Sequence, residues 1–96
     1  MISRENFIFA IGFEGAQAVV DGKAKREFGK LSTMELAEKG LYRAAFSSAL
    51  YSKNPEEMKV FIGLFNKAAG TAYTETIELS RLFGVYIEEI SKIMIL

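Results

Sequence analysis

The sequence predicts an α+β fold, a single small domain over residues 1–96 in which an N-terminal β-hairpin is followed by three or four packed α-helices. Three observations predict it. Two short runs of β-forming residues flank a glycine-containing turn near the N-terminus. Ser32-Thr33-Met34-Glu35 has the spacing of a helix capping box. Asn54-Pro55-Glu56-Glu57 has the residue order of a helix start, with a capping side chain, a proline at the first position and carboxylates at the positive end.

The hairpin strands are Phe7-Ile8-Phe9-Ala10-Ile11 and Ala16-Gln17-Ala18-Val19-Val20. If Glu14 and Gly15 form the turn, Phe13 faces Ala16, Ile11 faces Ala18 and Phe9 faces Val20. Phe7, Phe9, Ile11 and Phe13 then share one face, opposite small residues that leave room for a helix. A bare two-stranded hairpin is barely stable in water. It is therefore expected to pack on helices, pair with a further strand, or pair with a second copy of itself. Asp21-Gly22 reads as a turn that ends the second strand. Lys23 to Lys30 reads as a polar connector holding either one helical turn or a short third strand.

Ser32 opens the next helix, and Leu31 and Leu36 sit where a hydrophobic staple would pack. Leu41, Tyr42, Ala45, Phe46, Ala49 and Leu50 recur at helical spacing, and Gly40 predicts a kink or a break before them. The helix opened by Asn54 buries Met58, Phe61, Ile62, Phe65 and Ala69. Val60 and Leu64 extend that stripe to a second side, and Gly70 stops the helix. Thr71 or Thr74 then caps a last helical region that runs toward Leu96. Leu79, Phe83, Tyr86, Ile90 and Ile93 are spaced four, three, four, three, which is a heptad seam through Gly84, widened by Leu82, Ile87 and Met94.

The chain of 96 residues contains no His, no Cys and no Trp. It therefore lacks the imidazole that titrates near neutral pH and the thiolate used in nucleophilic, zinc and disulfide chemistry. Glu56-Glu57 and Glu88-Glu89 are adjacent pairs, which diverge on a helix and do not form an acid–base dyad. The expectation is a protein that is not an enzyme and takes no cofactor or metal. Twelve basic residues balance twelve acidic ones, whereas a chain that binds polyanions through charge is usually basic. Lys23, Lys25, Arg26 and Lys30, diluted by Asp21 and Glu27, read as a solvated connector. The N-terminus lacks the pattern of a signal peptide, and no apolar run approaches the length of a bilayer. These features lead to an expected soluble, cytoplasmic protein that does not engage a membrane.

Ser80, Gly84, Val85, Ile90 and Ile93 fall at the spacing of a small residue, a turn glycine and apolar positions in two successive helices. The segment from Leu79 to Ile93 resembles the helix-turn-helix of bacterial repressors, about a fifth of the chain. That resemblance implies a DNA-binding regulator using residues 76–95, with Gly84 in the turn and the second helix facing the groove. Glu88 and Glu89 would then face the polyanion with Lys92 as the one base, so nucleic acid is not the expected partner. Gly12-Phe13-Glu14-Gly15 is superficially similar to the GxxG loop of KH domains. It lies between predicted strands and holds Phe and Glu where that loop favours bases, so it reads as the hairpin turn.

The reading that follows is a non-catalytic interaction module whose partner is a second copy, as in a homodimer, or another protein. Self-association is expected through the apolar face of the hairpin and the C-terminal helix. Phe7, Phe9, Tyr86, Ile90, Ile93 and Met94 are the candidate interface residues.

Overall fold

A computed structural model describes residues 2–14, 16–86, 90 and 92–96. The fold is α+β: a β-hairpin near the N-terminus, a run of helices, and a C-terminal strand that completes a mixed three-stranded sheet. In chain order the elements are α1 (Arg4–Ile8), β1 (Ala10–Glu14), β2 (Gln17–Val20), α2 (Gly22–Phe28), α3 (Thr33–Glu38), α4 (Tyr42–Ser52), α5 (Pro55–Ala69), α6 (Thr76–Phe83) and β3 (Lys92–Ile95). The expected turn glycine Gly15, the seam residue Ile87 and the pair Glu88-Glu89 lie outside the described residues.

The hairpin exists, but it is shorter and differently registered than its residues predicted. Phe7 and Ile8 belong to α1, which the Ser3 hydroxyl opens by accepting from the Asn6 amide. Phe9 closes that helix, so β1 begins only at Ala10. The pairs Glu14↔Gln17 and Phe13↔Ala18 move the expected register by one residue on each strand. Between Gly12↔Val19 and Ala10↔Val20 the ladder slips, with Ile11 as the extra residue of a β-bulge. The bulge lets Ala10 and Val20 face inward together, while Gly12 and Val19 face outward together. Ala18 and Val20 are completely buried, so the middle strand meets the core along one face.

Asp21 is a helix cap and not a turn residue. Its carboxylate accepts from the Ala24 amide and starts α2 within the expected connector. The capping box at Ser32 and Glu35 forms with both hydrogen bonds present. Asn54 accepts from the amides of Glu56 and Glu57 at the start of α5. Met58, Phe61 and Phe65 of α5 are buried and Ile62 and Leu64 half-buried against the core, whereas Val60 and Ala69 of the expected stripe are exposed. The cap of α6 falls on neither threonine but on Glu75, whose amide donates to the Glu78 carboxylate, as do the amide and hydroxyl of Thr74.

The largest departure is at the C-terminus. The last helix stops at Gly84 with φ +68°, in the left-handed region that glycine enters without steric cost. The Val85 amide then bonds back to the Ser80 carbonyl, five residues earlier, as Leu41 does to Leu36 after Gly40 and Thr71 to Asn66 after Gly70, the other glycines of positive φ. The heptad seam is therefore not one helix. Ile93 and Met94 lie in a strand parallel to β2, in the register Ala18↔Ile93 and Val19↔Met94. The second helix implied by the repressor resemblance is replaced by strand at Lys92–Ile95.

The helical layer packs around an aromatic chain. Phe46 stacks with Phe83 at 5.4 Å, and Phe83 meets Phe65 edge-on at 5.3 Å. Phe61 lies within 6.0 Å of both Phe46 and Phe65. These spacings suit the ring quadrupoles as well as burying apolar area. Two arginines join the layers. Arg4 on α1 donates to the carbonyls of Gly29 and Leu31 and to the Ser48 hydroxyl, which in turn shares a buried hydrogen bond with Thr33 at 2.7 Å. Arg43 on α4 donates to the Ala10 carbonyl beside the bulge and to the Phe83 carbonyl ending α6, at 3.1 Å for the latter.

Arg43→Met is therefore expected to leave two shielded carbonyls short of donors and to destabilise the fold by about 3 kcal/mol in urea denaturation. The Glu35 carboxyl is held below the usual carboxylate range by the backbone N–H and then the hydroxyl of Ser32. The Glu78 carboxyl is held down by the backbone N–H groups of Thr74 and Glu75. Both are depressed in the folded state, so their contribution is complete above the ordinary carboxylate range and is lost as pH falls through the lower folded values. A Glu35→Gln/Glu78→Gln double variant is expected to show a flatter fall of urea midpoint on acidification than the parent.

Candidate interaction surface

The sheet leaves two edges, and β3 is one of them. The Lys92 amide donates to Ala16 and the Leu96 amide to Val20, so alternate residues of the strand turn their backbone groups the other way. The N–H and C=O of Ile93 and Ile95 face the open edge. All four strand residues are exposed, Met94 to 44 % and Ile95 to 53 %, and Leu96 beyond them to 67 %. A strand with unpaired backbone groups and apolar side chains is a template for pairing with another strand.

The outer face of the sheet continues this surface. Gly12, Val19 and Met94 form one row across the three strands, and Glu14, Gln17 and Lys92 form the next. The first row is apolar; the second sets an acid and a base on either side of an amide. Ile11, pushed out by the bulge, is 56 % exposed.

β3 is seated by Gly22. A Cβ on that residue would lie 2.6 Å from the Leu96 carbonyl oxygen and 2.8 Å from Ile95 Cγ2. Only glycine at the first position of α2 lets the end of the strand come this close. That residue type was visible in the sequence, but its partner was not, because the contact joins distant parts of the chain.

The six candidate interface residues separate. Phe7 and Phe9 are core, 2 % and 7 % exposed, and the Phe7 ring lies 5.7 Å from Tyr51. Ile90 is half-buried against the core. Tyr86, Ile93 and Met94 are exposed. Phe7 and Phe9 of the hairpin face expected to associate are thus buried in the core, while Tyr86 stands open and Ile93 and Met94 stand open on a strand. Ile95, Leu96 and Ile11 join them.

Among the described residues, no group of three or more acidic side chains gathers as metal ligands do. No described helix is long and apolar enough to cross a membrane. Comparisons with protein-family models, curated proteins and solved structures returned no match.

Gly22→Ala is expected to displace β3 while leaving the helical core intact. Amide hydrogen exchange at Lys92 and Leu96 should accelerate well before exchange at core amides of α4 and α5 changes; unaltered protection of the Leu96 amide would show that the strand is not seated on Gly22.

Proposed function

We propose that this chain is a non-catalytic module that associates with a second copy of itself through strand β3. The observation that carries the reading is the open edge of Ile93 and Ile95, flanked by exposed Met94 and Leu96. A two-fold axis beside this edge sets β3 antiparallel to its copy and joins two three-stranded sheets into one. The backbone groups of Ile93 and Ile95 then gain partners, and the apolar row ending at Met94 runs on across the junction. Chemistry supports the same direction, because a chain without His or Cys has few of the groups that catalysis uses, whereas it has apolar side chains to spare.

The solution mass tests the reading. Sedimentation equilibrium at micromolar concentration is expected to give a dimer. Ile93→Pro removes an edge-facing donor without touching a β2 hydrogen bond, and is expected to give a monomer with unchanged circular dichroism. A parent chain that stays monomeric over the same concentrations would overturn the proposal.

A further inference from the structure

A cavity of about 350 Å³ opens between the end of α1, the start of α2 and the start of α4. Phe9, Ala24, Leu41 and Tyr42 give it apolar walls, and Asp21 and Arg43 are the charged residues lining it. This volume falls at the lower end of small-ligand sites, and apolar walls with a few placed polar groups are their usual chemistry.

The two charges are what make the cavity specific. Arg43 is half-buried, and burial lowers the basicity of its guanidinium. Two of its hydrogen bonds go to carbonyls, and a guanidinium has five N–H donors. Its Nη2 group has no partner among the described residues. Asp21 commits one oxygen to the Ala24 amide, and its other oxygen accepts no hydrogen bond among the described residues. The carboxylate and the guanidinium line one apolar cleft without forming an ion pair across it. Neither free group is a buried atom, so both are open to an incoming ligand, and the apolar walls beside them strengthen attraction to an opposite charge. A ligand that brings one charge of each sign, with an apolar group between the walls, answers both residues at once. A dianion such as phosphate would meet Asp21 with the wrong sign.

We infer that this cleft binds a small zwitterion with an apolar side chain, the chemistry of a free apolar α-amino acid. Its carboxylate lies on Arg43, its ammonium on Asp21, and its side chain against Phe9, Leu41 and Tyr42. The inference does not depend on self-association, since β3 contributes no residue to the cleft.

Titration of the isotopically labelled full chain with free L-leucine, followed by NMR, tests it. Saturable shifts are expected at the Ala24, Leu41 and Ala44 amides. N-acetyl-L-leucine lacks the ammonium and L-leucine methyl ester lacks the carboxylate; each is expected to bind about tenfold more weakly or worse. Because Arg43 also holds the fold, the decisive variant is Asp21→Asn, which keeps a good helix cap and removes the charge. It is expected to weaken L-leucine binding by about tenfold and leave N-acetyl-L-leucine unchanged. Ala24→Leu, which fills the cleft, is expected to abolish the shifts. No saturable shift at about 10 mM ligand, weaker than millimolar affinity, overturns the inference. So does N-acetyl-L-leucine binding as well as L-leucine, or wild-type affinity in Asp21→Asn.

Discussion

Arg43 is the side chain on which the arrangement of layers depends. It leaves the first turn of α4, reaches the carbonyl beside the β1 bulge and takes the carbonyl that ends α6. The sheet, the central helix and the last helix are thereby held by one rigid planar group, a task that suits the fixed fork of a guanidinium and that a lysine ammonium performs poorly. The bulge needs this donor, because the extra residue interrupts the ladder that would otherwise satisfy its backbone. The end of α6 gains from it as well, since a cation near a helix C-terminus faces the negative end of the macrodipole. Arg4 repeats the device on the other side of α4, tying α1 to the loop between α2 and α3.

The same economy links architecture to the two surfaces assigned a role. Both proposals rest on shapes, apolar area and a few charges, in a chain without His or Cys. On the sheet these give an open edge with exposed isoleucine, methionine and leucine. Between the helices they give a cleft whose opposite charges are held apart by their own structural duties: Asp21 caps α2 while Arg43 holds carbonyls. Each charged residue thus serves the fold with part of its hydrogen-bonding capacity, and the rest has no partner among the described residues.

Local signals were legible in the sequence. Ser32 with Glu35, Asn54 with Pro55, and Gly70 each act within a few residues, so their meaning is complete on the page. The aromatic stripes of α4 and α5 were equally clear, because helical periodicity repeats often enough to be read. The failures share a physical cause. Phe7 and Ile8 are β-formers by propensity, yet burial against α4 and the Ser3 cap make them helix. Glu14 reads as a turn residue yet pairs with Gln17, because alternation alone does not fix which residues close a hairpin. Ile90 to Leu96 carries a heptad rhythm and a short apolar run at once, and only pairing with β2 decides between helix and strand. The candidate interface residues divided along the same line: Tyr86, Ile93 and Met94 emerged on the surface, while Phe7 and Phe9 were claimed by the core. Arg4 and Arg43 carry no local signal, and Gly22 reads only as a turn residue, because their partners lie far along the chain.

The pairing of residues 17–20 with residues 92–95 also sets an order of events. Contacts between such distant segments carry a large loop-closure entropy and form late. As the polypeptide leaves the ribosome, β2 is made before β3 and waits for its neighbour while α2 to α6 are translated. During that interval the bare flank of the hairpin is open to strands of other nascent molecules. The helices made in that interval lie between β2 and β3 in the chain, so the sheet is complete only when β3 pairs.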